Sequence, residues 1–406
     1  KEDLDCVSTD IPIVMVSDNF HSLWVNSKTL EMAGIHKDSG EIENGIVERF
    51  PDGEPTGTLR EGWTGIIENL LPDYSVDEYK KAFMAYSKYA NSLGIVGVFD
   101  PWLYPDSNAV EALKQLAKEK ALNLYIKGAY TADPSNGVNQ IAEFAEKRHA
   151  DSINERFTMD SVKIFCDGII ESKTAYLLEP YRNNSKDSPD FAGDPIWADA
   201  DLNAIVAESI KNNFKVHVHC IGDAAVRQAL NAFEAAKELG LKDRRNAITH
   251  IELMHEEDFD RFKALDVIAV LNPYWFEVDD LYYADQDYIG KENYERTYPM
   301  KSFLKRNIPC AMASDFPITD IPNPLNGIEL GVTRTISKYY HPWATDYESG
   351  KFDFPLGDGS ENATLDEMVK MATIDSAYSL FMDKYTGSIK VGKNADFIVL
   401  EKYIFD

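Results

Sequence analysis

From about residue 76 onward, short continuous apolar runs alternate with stretches in which apolar residues recur every three or four positions. The three-and-four spacing is typical of amphipathic helices, and these segments include residues 77–93, 108–121, 223–240 and 256–265. The continuous runs indicate strands that are buried on both faces, and they occupy residues 94–100, 123–130, 161–167, 214–220, 246–252, 266–273 and 309–315. This pattern predicts an α/β fold with a parallel sheet covered by helices.

Seven predicted strands leave two arrangements open. A (β/α)8 barrel needs eight strands, so either the sheet is open and doubly wound or the first barrel strand is missing from this chain. Catalytic groups gather at the C-terminal end of every strand in a barrel, whereas an open sheet collects them mainly at its switch point. Five runs carry a polar residue at or near that end, namely Asp100, Asp167, His219, Glu252 and Asp315. We therefore predict a TIM-like (β/α)8 barrel that lacks its first strand.

The two ends of the chain have a different pattern. Residues 1–75 contain one strand-like run at 11–17 and then turn-rich sequence, and we predict an insertion or lid segment at the barrel mouth. Residues 76–385 form the predicted barrel. Residues 386–406 alternate like antiparallel strands around Gly387 and Gly392, and we predict a partial β-sandwich there.

Composition narrows the class of protein. The 406 residues are 44% hydrophobic and 27% charged, an ordinary globular composition. The formal net charge of −27 argues against nucleic acid or a membrane as partner, since both require a basic surface. The sequence contains no run of 18 apolar residues, so no membrane-spanning helix is predicted. The four cysteines have no CxxC spacing, and we expect them to be reduced thiols. We expect a cytoplasmic protein. A homodimer is compatible with the sequence.

Four polar residues on four of the runs carry the candidate chemistry. Lys163 lies in mid-run, where it must be paired or modified unless it reaches solvent at a strand edge. His219 and His250 each lie near the end of a run, although a lone buried histidine is more often a hydrogen-bonded core residue. Asp315 ends the last run before Pro317 and could otherwise cap a helix. Because the strand ends of one barrel converge, we expect these residues to bind a divalent metal, for which zinc suits nitrogen and carboxylate ligands.

A series of ordered sequence blocks extends this interpretation. With these blocks the chain resembles the amidohydrolase superfamily, and more narrowly its amidohydrolase-3 branch of YtcJ-like and N-substituted formamide deformylase-like enzymes. The blocks are FHSLWVNSKTLEMAGI, DGEPTGTLRE, VKIFCDG followed by TAYLLEPY, VHCIGDAAV, ITHIELM, ASDFPI with the downstream PNPLNGI, and GSIKVGKNADFIVL. The resemblance covers nearly the whole chain.

The resemblance implies metal-dependent hydrolysis of a C–N bond in a small-molecule amide, formamide or cyclic amide, with one or two zinc ions that activate water. Lys163 would be the fourth-strand lysine, which is often carboxylated so that it bridges two metals. His219 and His250 would be the fifth- and sixth-strand ligands. Asp315 would be the eighth-strand aspartate, which binds metal or acts as the catalytic general base.

Other residues receive supporting roles. His217 lies two positions before His219, on the same strand face, and we expect it to hydrogen-bond beneath the site rather than bind the metal. The resemblance implies that His21, Trp24 and Asn26 reach the substrate, with simple packing as the alternative. Trp275 is expected to line an apolar substrate pocket, or else to pack in a loop.

The chain departs from the family pattern in two places. The family barrel opens with a strand that ends in a metal-binding His-x-His pair and follows strands of a β-sandwich, and neither is present. We therefore expect that an N-terminal portion is lacking; a degenerate, non-catalytic homologue is the alternative. In the loop after Lys163, Glu171 and Lys173 stand where relatives usually have a small glycine and an arginine. A nucleotide-binding open sheet is disfavoured because no glycine-rich phosphate loop follows any strand.

Overall fold

The computed structural model describes residues 1–17, 21–40, 42, 45–68, 70–186, 188–278, 282–337, 352 and 354–405. The chain divides into two compact units, residues 1–74 and 75–406. The boundary lies one residue before the predicted one. None of the described helices has the length and apolar character that crossing a bilayer requires.

The first unit is built on an antiparallel sheet of four strands in the order β1-β2-β4-β3. Its strands are β1 (Val14–Val16), β2 (Ser22–Val25), β3 (Gly45–Arg49) and β4 (Pro55–Glu61), and its helices are α1 (Glu2–Asp5), α2 (Ser27–Met32) and α3 (Gly62–Glu68). Leu23, Val25, Leu59 and Trp63 form the centre of its small core. The sequence pattern predicted only the first of these strands. The proposed role of this unit as a lid stays a prediction.

The second unit contains a parallel sheet in which all seven predicted strands are confirmed. The order is β11-β10-β9-β8-β7-β6-β5, so each strand pairs with its neighbours in the chain. The strands are β5 (Gly97–Leu103), β6 (Tyr125–Thr131), β7 (Phe157–Phe165), β8 (Lys215–Cys220), β9 (Ala247–His250), β10 (Ile268–Leu271) and β11 (Cys310–Met312). The helices are α4 (Val76–Ser92), α5 (Asn108–Lys118), α6 (Gln140–Asp151), α7 (Asp199–Lys211), α8 (Asp223–Ala235), α9 (Phe259–Ala264), α10 (Tyr282–Ile289), α11 (Lys291–Tyr294), α12 (Met300–Lys305), α13 (Pro324–Thr333), α14 (Leu365–Lys370) and α15 (Ser376–Ser379).

Burial on both faces explains why the central strands read as continuous apolar runs. In β8 all six residues are buried, and Val216, Val218 and Cys220 belong to the main apolar core. Because side chains alternate along a strand, Lys215, His217 and His219 point to the opposite face. The titratable residues of β8 therefore share one side of the sheet.

The sheet is strongly curled. The rings of Phe99 in β5 and His217 in β8 lie 4.8 Å apart, although two strands separate β5 from β8. In a flat sheet that separation would be about 14 Å. At the two ends of the sheet, Tyr86 of α4 stacks on Phe316, which follows β11, at 5.5 Å between ring centroids. The second unit is thus a TIM-like barrel in which, among the described residues, seven strands are paired.

The C-terminal segment has no paired strand among the described residues, and the partial β-sandwich there stays a prediction. Residues 386–405 contain no strand, although alternation had predicted a partial β-sandwich over 386–406. A strand needs a partner for its backbone hydrogen bonds, and neither described sheet extends to this segment. The side chains of Ile389 and Val399 are accordingly 91% and 86% exposed.

A capping box begins the first helix of the second unit. The Ser75 hydroxyl accepts the Glu78 N–H, and the Glu78 carboxylate accepts the Ser75 N–H at 2.9 Å. We expect Ser75→Ala to lower the free energy of unfolding by about 1 kcal/mol, because the Glu78 N–H loses its acceptor. Urea titration followed by circular dichroism measures the free energy of unfolding of each variant. Ser92→Ala, at the other end of the same helix, is the control and should stay within about 0.5 kcal/mol of the unchanged protein. Equal effects of the two variants would contradict the assigned cap.

Candidate active site

Two histidines meet at the C-terminal ends of neighbouring strands. His219 on β8 and His250 at the end of β9 are both buried, and their ring centroids are 4.6 Å apart. The strands pair in parallel, with Cys220 opposite His250, so the register brings the two rings side by side. The sequence interpretation placed both residues at the barrel mouth, and the structure brings them together.

Each imidazole is oriented by a hydrogen bond to an oxygen. His219 donates from Nε2 to the Gly168 carbonyl at 3.1 Å, and His250 donates from Nδ1 to the Asn272 side-chain oxygen at 3.1 Å. Both partners are oxygens that cannot donate, so the ring nitrogen bonded to each oxygen carries the proton. The unprotonated nitrogens, which carry the lone pairs, are therefore His219 Nδ1 and His250 Nε2. Metal-binding histidines are commonly oriented in this way by an oxygen on the other ring nitrogen.

Asn272 was missed by the sequence interpretation. It follows β10 directly, is fully buried, and donates from Nδ2 to the Ala313 carbonyl at 3.4 Å. This second bond fixes its amide so that the oxygen faces His250. The available signal was a polar residue at the end of an apolar run, the same signal that identified His219.

Two of the candidate residues have a left-handed backbone conformation. His250 has φ of +74° and Asp315 has φ of +57°, in the left-handed region that residues other than glycine rarely adopt. Strained residues of this kind cluster at functional sites, where the surrounding structure holds them in place. His250 ends β9, and Asp315 lies three residues beyond the end of β11; the sequence had selected both positions for chemistry.

Asp167 holds the loops beside His219. Its carboxylate accepts N–H groups from Ile221 at 2.9 Å, Gly222 at 2.8 Å and Tyr176 at 3.0 Å. A Cβ at Gly222 would lie 1.9 Å from the Tyr176 carbonyl oxygen, so only glycine allows this approach of the two backbones. The Ile-Gly sequence after β8 is therefore explained by a buried carboxylate that binds backbone.

Lys163 is buried within β7, as the sequence predicted, with 4% of its surface exposed. Within the described part of the chain its Nζ has no hydrogen-bond or ion-pair partner, and it lies 4.5 Å from the centre of the Phe165 ring. Burial lowers the pKa of Lys163 to about 8, against the opposing effect of the Asp315 carboxylate. Lys163 does not reach solvent at a strand edge, because β7 is paired on both sides.

Asp315 and Trp275 lie on the loops after the last two strands. Asp315 is half-buried, and its charge acts on Lys163. Trp275 stacks on His250, with ring centroids 5.4 Å apart and planes within 5°, and donates from Nε1 to Thr319 at 3.1 Å. Trp275 therefore forms a wall of the site, whereas the next residue, Phe276, is fully buried and packs on Tyr298.

His21, Trp24 and Asn26 belong to the first unit. Asn26 is fully buried and caps α2, and its side chain donates to two backbone carbonyls, so its hydrogen bonds serve the fold of that unit. His21 pairs with Glu61 at 3.0 Å, and Trp24 is 37% exposed. Their contact with substrate stays a prediction.

The described side chains fit part of a divalent-metal site. They supply two oriented imidazoles beside a buried amine that has no partner among the described residues. A catalytic zinc ion takes three protein ligands, and the described residues contain no group of three His, Cys, Asp or Glu side chains that could hold a metal ion. Lys163 becomes an anionic oxygen ligand only if it carries a carboxylate.

The curled parallel sheet and the histidines at its strand ends define the class of TIM-like barrels with an active site at the C-terminal face. A sequence model of the Amidohydrolase family (Amidohydro_3) matches residues 1–406, and the chain belongs to this family. The predicted family is confirmed.

Individual relatives are distant but cover the chain. Putative amidohydrolase YtcJ of Bacillus subtilis (strain 168) is 27% identical over 98% of this chain and 71% of its own length. N-substituted formamide deformylase of Arthrobacter pascens is 22% identical over 99% of this chain and 70% of its own. An uncharacterized metal-dependent hydrolase from Pyrococcus furiosus has the same fold, with a TM-score of 0.71 and 22% identity over 99% of this chain and 74% of that one.

Proposed function

We propose that this chain is the barrel of a metal-dependent hydrolase that cleaves a C–N bond in a small amide, formamide or cyclic amide. The observation that carries the proposal is the pair of oriented imidazoles, His219 and His250, in contact at the strand ends of a barrel of this family. The deformylase relative from Arthrobacter pascens is named for an N-substituted formamide, which supports the amide-type substrate.

His219 and His250 would hold a divalent metal, and zinc suits their nitrogen donors. When bound, such a metal supplies a Lewis acid that polarises a carbonyl and lowers the pKa of water. Lys163 would add a ligand after carboxylation: its neutral amine bonds to the carbon of CO2, the nitrogen loses a proton to solvent, and a carbamate anion remains. The lowered pKa of Lys163 supports this step, because more of the amine is neutral near physiological pH.

The chain's other residues would position the substrate and move a proton. Asp315 would accept a proton from the water that attacks the carbonyl and return it to the leaving nitrogen, for which its half-buried position just after the last strand is suitable. Trp275 offers an apolar face to one side of the substrate. Asn272 keeps His250 in the tautomer whose Nε2 can bind a metal.

The alternative function is a non-catalytic barrel. It is favoured by one observation, the lack of a three-ligand group of His, Cys, Asp or Glu among the described residues. In that case the buried histidines would serve the core alone.

Metal analysis combined with an amine-release assay separates these two functions. The purified protein is treated with chelator, reloaded with zinc, manganese or cobalt, and incubated with a panel of N-formyl and N-acyl amines. We expect bound metal close to stoichiometric amounts and amine release that disappears with chelator and returns on reloading. A protein that takes up no metal and releases no amine from any substrate would support the non-catalytic barrel.

Asn272 provides a graded test of the assigned orientation of His250. Asn272→Leu keeps the shape of the side chain but cannot accept the His250 Nδ1–H, so we expect metal affinity and kcat/KM to fall about 10–100-fold. Asn272→Asp retains an acceptor oxygen and should stay within a fewfold of the unchanged protein. Competition with a fluorescent chelator measures the affinity. Two variants with equal losses would show that the hydrogen bond does not orient the ligand.

A further inference from the structure

Two buried polar side chains face each other on neighbouring strands beneath the two histidines of the site. Lys163 on β7 and His217 on β8 are register partners in the parallel sheet, so their side chains point to the same face. Each is 4% exposed. The floor of the site therefore consists of an amine beside an imidazole.

Neither group is satisfied by the described residues. His217 Nδ1 is enclosed without a hydrogen-bond partner, and no described residue bonds to the Lys163 amine. The His217 ring instead packs on Phe99, with ring centroids 4.8 Å apart. Buried polar groups are almost always hydrogen-bonded, so an enclosed His217 nitrogen beside an amine without a described partner indicates that a further group belongs between them.

The surrounding charges indicate what that group is. The titratable side chains that act on His217 are bases, namely Lys163, Lys215, His250 and His219. A small anion is electrostatically favoured among such neighbours, and it would accept a hydrogen bond from an imidazole N–H. An anionic group carried by Lys163 itself would satisfy both residues at once.

We propose that His217 is a positioning residue that donates a hydrogen bond to a carboxylate oxygen carried on Lys163 Nζ. This inference rests on the carboxylation described under the proposed function and adds the residue that holds the modification. During carboxylation the Lys163 nitrogen forms a bond to the carbon of CO2, and one C–O π electron pair moves to oxygen. The nitrogen then loses a proton to water. His217 keeps its own proton and shares it with the new oxygen.

Bicarbonate labelled with 13C tests the proposal without requiring turnover. The carbamate carbon resonance is recorded for metal-free and zinc-loaded protein as bicarbonate is raised, with Lys163→Met to identify the signal and circular dichroism to verify folding. We expect half-saturation to need about tenfold more bicarbonate in His217→Phe, which retains a ring but no N–H. His217→Gln, whose amide can donate, should recover most of the loss.

Three outcomes would overturn the proposal. They are an identical bicarbonate dependence in His217→Phe and the unchanged protein, a loss in His217→Gln as large as in His217→Phe, and no carbamate resonance in folded protein that binds zinc and hydrolyses amides. The third outcome leaves the hydrolase function standing, because that protein still binds zinc and hydrolyses amides. Conversely, a carbamate that depends on His217 in a protein without hydrolytic activity supports this inference and contradicts the proposed function.

Discussion

His219→Ala is expected to remove bound metal and to lower kcat/KM by more than about 100-fold. The loss should exceed that of Asn272→Leu, because outer partners of a metal ligand typically contribute 10–100-fold and His219 is assigned as the ligand itself. The reason is structural: its ring is in contact with His250, and its Nε2–H is held by the Gly168 carbonyl, which leaves Nδ1 as the nitrogen that can bind a metal. Metal content after gel filtration and amine release measure both effects.

The control for this variant is His149→Ala. His149 is exposed near the end of α6, so its removal changes the number of histidines without changing the site. It should keep the full metal content and rate. A His219→Ala protein that retains both metal and activity would remove His219 from the site, and with it the central observation for the proposed function.

Asp167→Ala is expected to lower the free energy of unfolding by roughly 3–5 kcal/mol, the largest stability effect that we predict. Three backbone N–H groups would lose their acceptor, two of them in buried hydrogen bonds, and each such loss costs about 1–3 kcal/mol. Guanidinium unfolding curves give the difference.

Asp223→Ala is the matched comparison. The Asp223 carboxylate also accepts two backbone N–H groups, from Leu178 and Ala224, but these bonds lie nearer the solvent. Water can replace the lost acceptor there, so a loss of only about 1 kcal/mol is expected. If the two variants are equally stable, the loops beside His219 do not depend on the buried carboxylate.

The barrel could be predicted from the sequence because burial on both faces leaves a plain signal. Each strand of the parallel sheet is a continuous apolar run, and a polar residue within it, such as Lys163 or His219, stands out. Asn272 was missed because an asparagine after a strand usually begins a turn. Its importance lies in a bond to His250, which is 22 residues away in the chain and becomes a neighbour only through strand pairing.

The first unit was harder to predict for a different reason. Its strand β4 begins with a proline and contains Gly57 at φ of +100°, residues that are typical of turns. Conversely, the alternating residues after Gly387 fit the strand period but have no partner among the described strands. Local pattern predicts a strand well only where the pattern also determines what the strand packs against.

β8 lies at the centre of the sheet, and this position determines when its histidines are released during unfolding. β8 is the fourth of seven strands, so three strands flank it on each side. Fraying that starts at the outer strands must pass through three neighbours before it reaches His217 and His219. The central strand therefore opens with the slowest-exchanging cooperative unit of the barrel, and the histidines stay in place until the whole sheet unfolds. For the two histidines of β8, the lifetime of their arrangement and the lifetime of the global fold should therefore be the same quantity.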